Sequence, residues 1–156
     1  MSAPSEVAEK FYRAFAAHDP AGMGALYADD AIFSDPVFPR LDAAGARAMW
    51  SKLLRPGVQL SVVWRLLNAD ENSATVEWTA RYIFPATGKP VTNRVTAELD
   101  IADGLIRRHR DSFSFHRWAR QALGLPGLLL GWSPILKAKV EAQAAARLAA
   151  YRQKGS

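Results

Sequence analysis

The spacing of apolar residues divides the chain into a helical first third and a strand-rich remainder. Apolar stripes with helical spacing predict helices over residues 5–17, 20–28 and 42–54. Alternating apolar and polar residues then predict strands over 31–34, 58–67, 74–84, 91–101 and 105–118. A last helix is predicted from Ser133 and Pro134 to about Arg152. This segregation favours an α+β fold, in which a curved antiparallel sheet wraps the N-terminal helices around a cone-shaped apolar cavity.

The predicted strand 105–118 carries the most distinctive chemistry of the chain. Alternation places Leu105, Arg107, His109, Asp111, Phe113 and Phe115 on one face. A histidine and a carboxylate on a partly apolar face are costly unless they are hydrogen-bonded or used for chemistry. His109 and Asp111 are therefore candidates for a proton relay. In the alternative interpretation, Asp111 pairs with Arg94 or Arg107, and His109 bonds to the backbone.

Composition narrows the classes of protein to consider. The chain has 156 residues, 49% of them hydrophobic, which is typical of a globular domain with a sizeable core. It has no cysteine, which excludes disulfides, thiolate metal sites and a cysteine nucleophile. The three histidines, His18, His109 and His116, lack ligand spacing, so no metal site is expected. The sequence contains neither a signal-peptide core nor an apolar run near the roughly 20 residues of a membrane span, so we expect a cytoplasmic protein without membrane attachment.

Positive charge is concentrated towards the C-terminus. The net charge is +5, and residues 105–156 hold ten basic but only two acidic residues. A basic surface can face nucleic acid or another anionic partner. However, no recognition helix, RNA-binding aromatic motif or dense basic run accompanies these charges. We therefore interpret them as a solvated face and expect no nucleic-acid partner.

Several short motifs resemble the nuclear transport factor 2-like superfamily, which includes the ketosteroid isomerases and the SnoaL-like polyketide cyclases. The resemblance rests on AHDP at 17–20, YADDAIFSDPVF at 27–38 and DGLI at 103–106. RDSFSFHRWARQALG, from residue 110, resembles a tail of uncharacterised SnoaL-like proteins. The resemblance covers about 5–118 and implies a single domain over 1–156, extended by an apolar loop and helix at about 121–153.

The resemblance also implies roles for individual residues. In ketosteroid isomerases the general base would fall at Asp35, and the oxyanion donors at Phe11 and Thr96, with a supporting phenol at Trp50. None of the last three offers a phenol or carboxylic acid, which argues against steroid isomerisation. SnoaL-like cyclases imply an acid/base role for Asp111. Limonene-epoxide hydrolases resemble the chain at Arg94 and Asp111, but their second aspartate is Thr96 here.

The predicted site combines these residues. The expected catalytic residues are Asp111 and Asp35, with His109 assisting. The expected lining of the pocket is Tyr12, Phe11, Trp50, Trp78, Tyr82, Arg94, Thr96 and Phe113. Two alternatives remain open: Asp35 forms a local turn before Pro36, and the aromatic residues pack as plain core.

The functional hypothesis is a pocket for a small hydrophobic molecule. It predicts a cofactor-free acid/base enzyme, an isomerase or cyclase that acts on a carbonyl compound. The alternative is a non-catalytic ligand-binding or dimeric interaction module with a vestigial pocket, and an epoxide hydrolase ranks lower. A homodimer is expected. The apolar loop 124–132 is a lid, a dimer contact or a connector for the last helix.

Overall fold

Six helices and six strands form the part of the chain that the structure, a computed structural model, describes, namely residues 3–131 and 133–154. The helices are α1 (Pro4–Ala16), α2 (Pro20–Gly24), α3 (Ala43–Leu53), α4 (Phe115–Leu123), α5 (Leu125–Leu130) and α6 (Pro134–Lys154). The strands are β1 (Tyr27–Ser34), β2 (Leu41–Asp42), β3 (Leu60–Ala69), β4 (Ser73–Ile83), β5 (Pro90–Ala102) and β6 (Leu105–Ser112).

The strands form one curved, unclosed sheet in the order β2-β1-β6-β5-β4-β3. Neighbours are antiparallel except β1 and β6, which are parallel. Helix α1 packs against β3, β4 and β5, and α3 packs against β1. The prediction of an α+β fold with a sheet wrapped on N-terminal helices is confirmed.

Helix α1 is the main anchor of the concave side of the sheet. Pro4 occupies its first turn, where a missing N–H costs nothing. Val7, Phe11 and Phe15 follow at helical spacing and are fully buried. Burying each such side chain contributes about 1.5 to 3 kcal/mol. The apolar stripe read from the sequence is therefore the face that holds this helix against the sheet.

Two element boundaries near β1 and β6 differ from the sequence prediction. The helix expected over 20–28 ends at Gly24, because two glycines weaken it. Tyr27 instead begins β1 and pairs with Ile106 of β6. The strand expected over 105–118 ends at Ser112, because the Ser114 hydroxyl accepts a hydrogen bond from the Arg117 N–H (3.2 Å) and caps α4.

A β-bulge in β6 corrects the predicted sorting of its side chains. Ile106 pairs with Ile101, whereas Arg108 pairs with Asp100, so Arg107 is an extra residue in the strand. As a result, Ile106 and His109 both face the core and are fully buried, although simple alternation places them on opposite faces. The bulged Arg107 instead reaches solvent.

The C-terminal segment is more helical than the sequence predicted. The expected apolar loop contains α5, which begins after Gly124 with its positive φ of 72°. Gly127 allows close packing of α5 on α4, since a Cβ there would come within 1.9 Å of the Ala119 carbonyl oxygen. Trp132, also part of the expected loop, lies outside the described residues.

Helix α6 is attached to the body by few contacts. Leu148 is the buried residue among its described positions. The Tyr151 hydroxyl meets the Ser51 hydroxyl of α3 at 2.7 Å. Among the described residues, no helix has both the length and the apolarity needed to cross a membrane.

Candidate active site

A cavity of about 280 Å³ opens between the concave face of the sheet, α3 and α6. Its inner part is aromatic, with Trp50, Trp78, Tyr82 and Phe113 in the wall. The four were all predicted to line the pocket. The acidic residues of its lining are Asp35 and Asp111, so both predicted carboxylates reach the same space. This is the arrangement that the cone-shaped fold was expected to produce.

A chain of four buried side chains ends at the cavity. The Trp50 indole N–H donates to the Tyr27 hydroxyl (2.9 Å), which lies 2.7 Å from Nδ1 of His109. Nε2 of His109 lies 2.8 Å from a carboxylate oxygen of Asp111. His109 is fully buried and does not line the cavity, whereas Asp111 does. His109 therefore does not touch a ligand in the cavity and can act on one only through Asp111.

The donors and acceptors of this chain fix its direction. An indole N–H only donates, so the Tyr27 oxygen accepts from Trp50. Burial raises the pKa of Tyr27 well above its ordinary value, so its own proton stays in place and donates to Nδ1 of His109. With Nδ1 as the acceptor, the ring proton of His109 lies on Nε2 and is donated to Asp111. The carboxylate is thereby oriented by a relay that passes through Tyr27, 84 residues earlier in the chain.

Asp35 lies at the end of β1 and combines the two roles proposed from the sequence. One carboxylate oxygen accepts from the N–H groups of Val37 (2.7 Å) and Phe38 (2.6 Å), which is a local turn. The same residue lines the cavity. Burial, and secondarily the charge of Asp111, raises the pKa of Asp35 to about 6, against the opposing effect of these hydrogen bonds. Asp35 is thus a carboxyl group that exchanges a proton near neutral pH.

Two further polar groups reach the cavity from β4 and β5. The Trp118 indole donates to the Tyr82 hydroxyl (2.8 Å), which leaves the Tyr82 proton available for another acceptor. Burial raises the pKa of Tyr82, and the charge of Asp35 raises it further. Asn93 also lines the cavity. It was missed in the sequence, although the alternation of β5 places it on the inner face between Val91 and Val95.

Four residues predicted to line the pocket lie elsewhere. Phe11 and Tyr12 are fully buried in the core between α1 and the sheet, because both fall on the inward side of that helix. Phe11 packs edge-on against the ring of His109, with centroids 5.4 Å apart. Arg94 and Thr96 are exposed, because β5 turns Val95 and its inward-facing neighbours to the core and these two to solvent. The expectation that they reach the pocket is wrong.

The arginine pairing considered for Asp111 does not occur. Arg107 bonds instead to Asp30 (3.1 Å) and Asp103 (3.4 Å) at the surface. His109 contacts two side chains rather than the backbone. Within the described ranges, no group of three or more histidine and carboxylate side chains is placed to hold a metal ion.

Three cations in the wall of the cavity are half-buried or exposed, whereas Asp111, Trp50 and Trp78 are buried, so the cations mark its outer part. Lys52 is on α3, Arg55 follows that helix, and Arg147 projects from α6. Sequence reasoning assigned none of them to the site. The sequence contains no pattern that indicates this placement, because only the packing of α6 over α3 brings residue 147 close to residues 52 and 55.

Comparison with known proteins identifies relatives by family and by fold. Residues 8–109 match the family described as SnoaL-like domain. No curated protein matches the chain by sequence. A proposed polyketide cyclase from Xanthomonas campestris pv. campestris is 19% identical, with 76% of this chain and 95% of that chain covered and a TM-score of 0.63.

Two other solved structures share the fold. An LEH-like epoxide hydrolase from M. tuberculosis is 20% identical, with coverage of 83% of this chain and 94% of that chain and a TM-score of 0.60. A hypothetical protein with a ketosteroid isomerase-like fold from Catenulispora acidiphila is 17% identical, with coverage of 81% and 97% and a TM-score of 0.65. At these identities the likeness concerns the fold alone.

Proposed function

Because the chain belongs to the SnoaL-like domain family, we propose that its cavity binds a small apolar carbonyl compound and moves a proton on it without a cofactor. The observation that carries this proposal is that Asp35 and Asp111 line one cavity, where the charge of Asp111 helps to raise the pKa of Asp35. Two carboxyl groups in one site, one of them with a raised pKa, are suited to act as an acid and a base in the same reaction.

The two carboxyl groups take different roles. Asp111, which accepts the His109 N–H, is the base that removes a proton from the carbon next to the carbonyl. Asp35, with a pKa of about 6, is the acid that donates its proton to the carbonyl oxygen. The product of these two transfers is an enol. In an unsaturated compound, Asp111 returns its proton to a different carbon and the enol O–H proton goes back to Asp35, which isomerises the compound. Alternatively, the enol carbon attacks a second carbonyl and closes a ring in an aldol step, in which Asp111 gives its proton to the new alkoxide oxygen and the enol O–H proton returns to Asp35.

Charge on the oxygen is stabilised by neighbouring donors. The free proton of Tyr82 and the amide of Asn93 face the same cavity as the carboxyl groups. They take the place of the phenol and acid that are missing at Phe11 and Thr96. Each donor of this kind typically contributes roughly 100- to 1000-fold in rate. His109 and Tyr27 are positioning residues, since they act through Asp111.

Exchange of carbon-bound hydrogen tests this proposal directly. We expect the protein to accelerate exchange of the activated hydrogens of β-tetralone, a flat bicyclic ketone, in deuterated water, as followed by NMR. Asp111→Asn keeps the shape but removes the base, and we expect it to slow exchange by at least about 100-fold. Arg94→Ala, a change on the outer face, is the control and should leave the rate unchanged.

An unchanged rate in the Asp111→Asn protein would contradict the assignment. The second candidate function, a non-catalytic ligand carrier, is favoured by Phe11, because a phenylalanine at the position of the isomerase phenol offers no hydrogen-bond donor. A carrier would show a ligand-induced rise in melting temperature with no exchange above the level of buffer. The epoxide hydrolase ranks last, since Arg94 and Thr96 both face solvent.

A further inference from the structure

The outer part of the cavity has an unbalanced positive charge. Lys52, Arg55 and Arg147 all contribute to its wall. Across residues 3–131 and 133–154, the ion pairs of the protein involve other side chains, and none of these three cations is paired with a carboxylate. Arg55 donates one hydrogen bond, to the Lys52 carbonyl oxygen (3.0 Å), which leaves most of its guanidinium free.

These three cations repel one another, and they do not form ion pairs with Asp35 or Asp111 at the inner end of the cavity. Burial lowers the pKa of Lys52, and the charges of Arg55 and then Arg147 lower it further. Three like charges gathered at one end of an apolar space are relieved by an anion placed among them.

We propose that the ligand of this cavity is an amphiphile: an apolar, carbonyl-bearing body with a terminal anion, a carboxylate or a phosphate, held by Lys52, Arg55 and Arg147. The orientation rests on the proposed function, because the reacting carbonyl then lies at the Asp35 and Asp111 end. The aromatic residues of the inner part accommodate the body of the ligand. Guanidinium groups suit the bidentate recognition of such an anion, and Lys52 adds a point charge.

The anion also has a consequence for α6. Arg147 is on α6, whereas Lys52 and Arg55 belong to the α3 region, so an anion between them bridges the two. The bridge lies beside the hydrogen bond between Ser51 and Tyr151. Binding of the anion should therefore draw α6 onto the body of the protein and enclose the ligand.

Matched ligands test the charge requirement. We would measure, by titration calorimetry, the binding of γ-oxo-naphthalenebutanoate, its primary amide and the corresponding phosphonate to the full chain. We expect the acid to bind at least roughly tenfold more tightly than the amide, and this preference to weaken with added salt. A phosphonate that binds more tightly than the acid points to a phosphate-bearing ligand, and the reverse order points to a carboxylate.

Matched variants locate the effect. Lys52→Met and Arg147→Met should each reduce the binding of the acid roughly tenfold and leave the binding of the amide unchanged. Lys139→Met removes the same charge from the exposed surface of α6, away from the cavity, and should change neither. Equal binding of acid and amide, or no binding of either, overturns the proposal. So does an equal loss in all three variants.

The outcome is distinguishable from failure of the proposed function. If acid and amide bind equally but Asp111-dependent exchange is observed, the proton-transfer proposal stands and the anion site is rejected. If the acid is preferred and the preference depends on Arg147, but no exchange is observed, the anion site stands and catalysis is rejected.

Discussion

The inner and outer ends of the cavity depend on different interactions, namely hydrogen bonds at the inner end and unpaired charges at the outer end. At the inner end, Trp50, Tyr27, His109 and Asp111 form one directed sequence of hydrogen bonds, buried among aromatic rings. At the outer end, three cations stand close together and lack carboxylate partners within the described chain. Hydrogen bonds demand fixed geometry, whereas unpaired charges act over distance and tolerate movement. In the two proposals, the inner end performs chemistry and the outer end selects and retains the ligand.

The largest effect is expected from breaking the buried relay, and two tyrosines make a matched test. Tyr27→Phe removes the hydroxyl that bonds both Trp50 and His109, and leaves two buried polar atoms unpaired. We expect a loss of about 2 to 4 kcal/mol in the free energy of unfolding. Tyr12→Phe removes an equally buried hydroxyl that has no partner, and should be neutral or slightly stabilising. Urea denaturation measures the free energy of unfolding of both variants. Equal losses would contradict a stabilising role of the relay.

The next effect is the pH dependence of stability that the raised pKa of Asp35 produces at the inner end of the cavity. The pKa of Asp35 rises from 3.8 to about 6 on folding, so the folded protein holds this proton more tightly. The resulting stabilisation is complete below about pH 4 and is lost as the pH rises through about 6. Asp35→Asn keeps an oxygen acceptor for Val37 and Phe38 but cannot ionise. Between pH 4 and pH 7 the wild type should lose about 1 to 3 kcal/mol relative to this variant. Parallel curves of stability against pH would contradict the raised pKa.

The smallest effect concerns the attachment of α6 at the outer end. Ser51→Ala removes the hydrogen bond to Tyr151, and we expect a loss of about 0.5 to 1.5 kcal/mol. Hydrogen exchange should become faster in the amides of α6 and remain unchanged in those of β6. Ser61→Ala, on the exposed side of β3, is the control. Equal acceleration in both elements would mean that α6 is not a separately attached unit.

Local patterns predicted the parts of the site that depend on regular strands. Alternation along β4 correctly placed Trp78 and Tyr82 in the wall of the cavity, because the strand pairs without interruption along its length. For Thr96, by contrast, the resemblance to isomerases predicted a pocket position, whereas the alternation of β5 turns the residue to solvent. Alternation failed within β6, because neither the bulge at Arg107 nor the helix cap at Ser114 alters the alternation of apolar and polar residues in the sequence.

Long-range neighbours were beyond the reach of sequence patterns. Tyr27 was assigned to a helix, and its partner His109 lies 82 residues further along the chain. The direction of the relay and the tautomer of His109 follow from that contact together with the Trp50–Tyr27 hydrogen bond. Arg147 was likewise counted as part of a solvated basic face. Its place in the cavity wall follows from the packing of α6 on α3. That packing could not be predicted from the sequence, because α6 has one buried residue among its described positions.

The complete burial of His109 also provides a spectroscopic probe of the site. Ring N–H protons of exposed histidines exchange with water too fast to be observed easily, whereas a hydrogen-bonded and fully buried one is protected. In protein labelled with nitrogen-15, the Nε2–H signal of His109 should persist in water. Its chemical shift would report the state of the Asp111 carboxylate and allow ligands to be screened before any substrate is known.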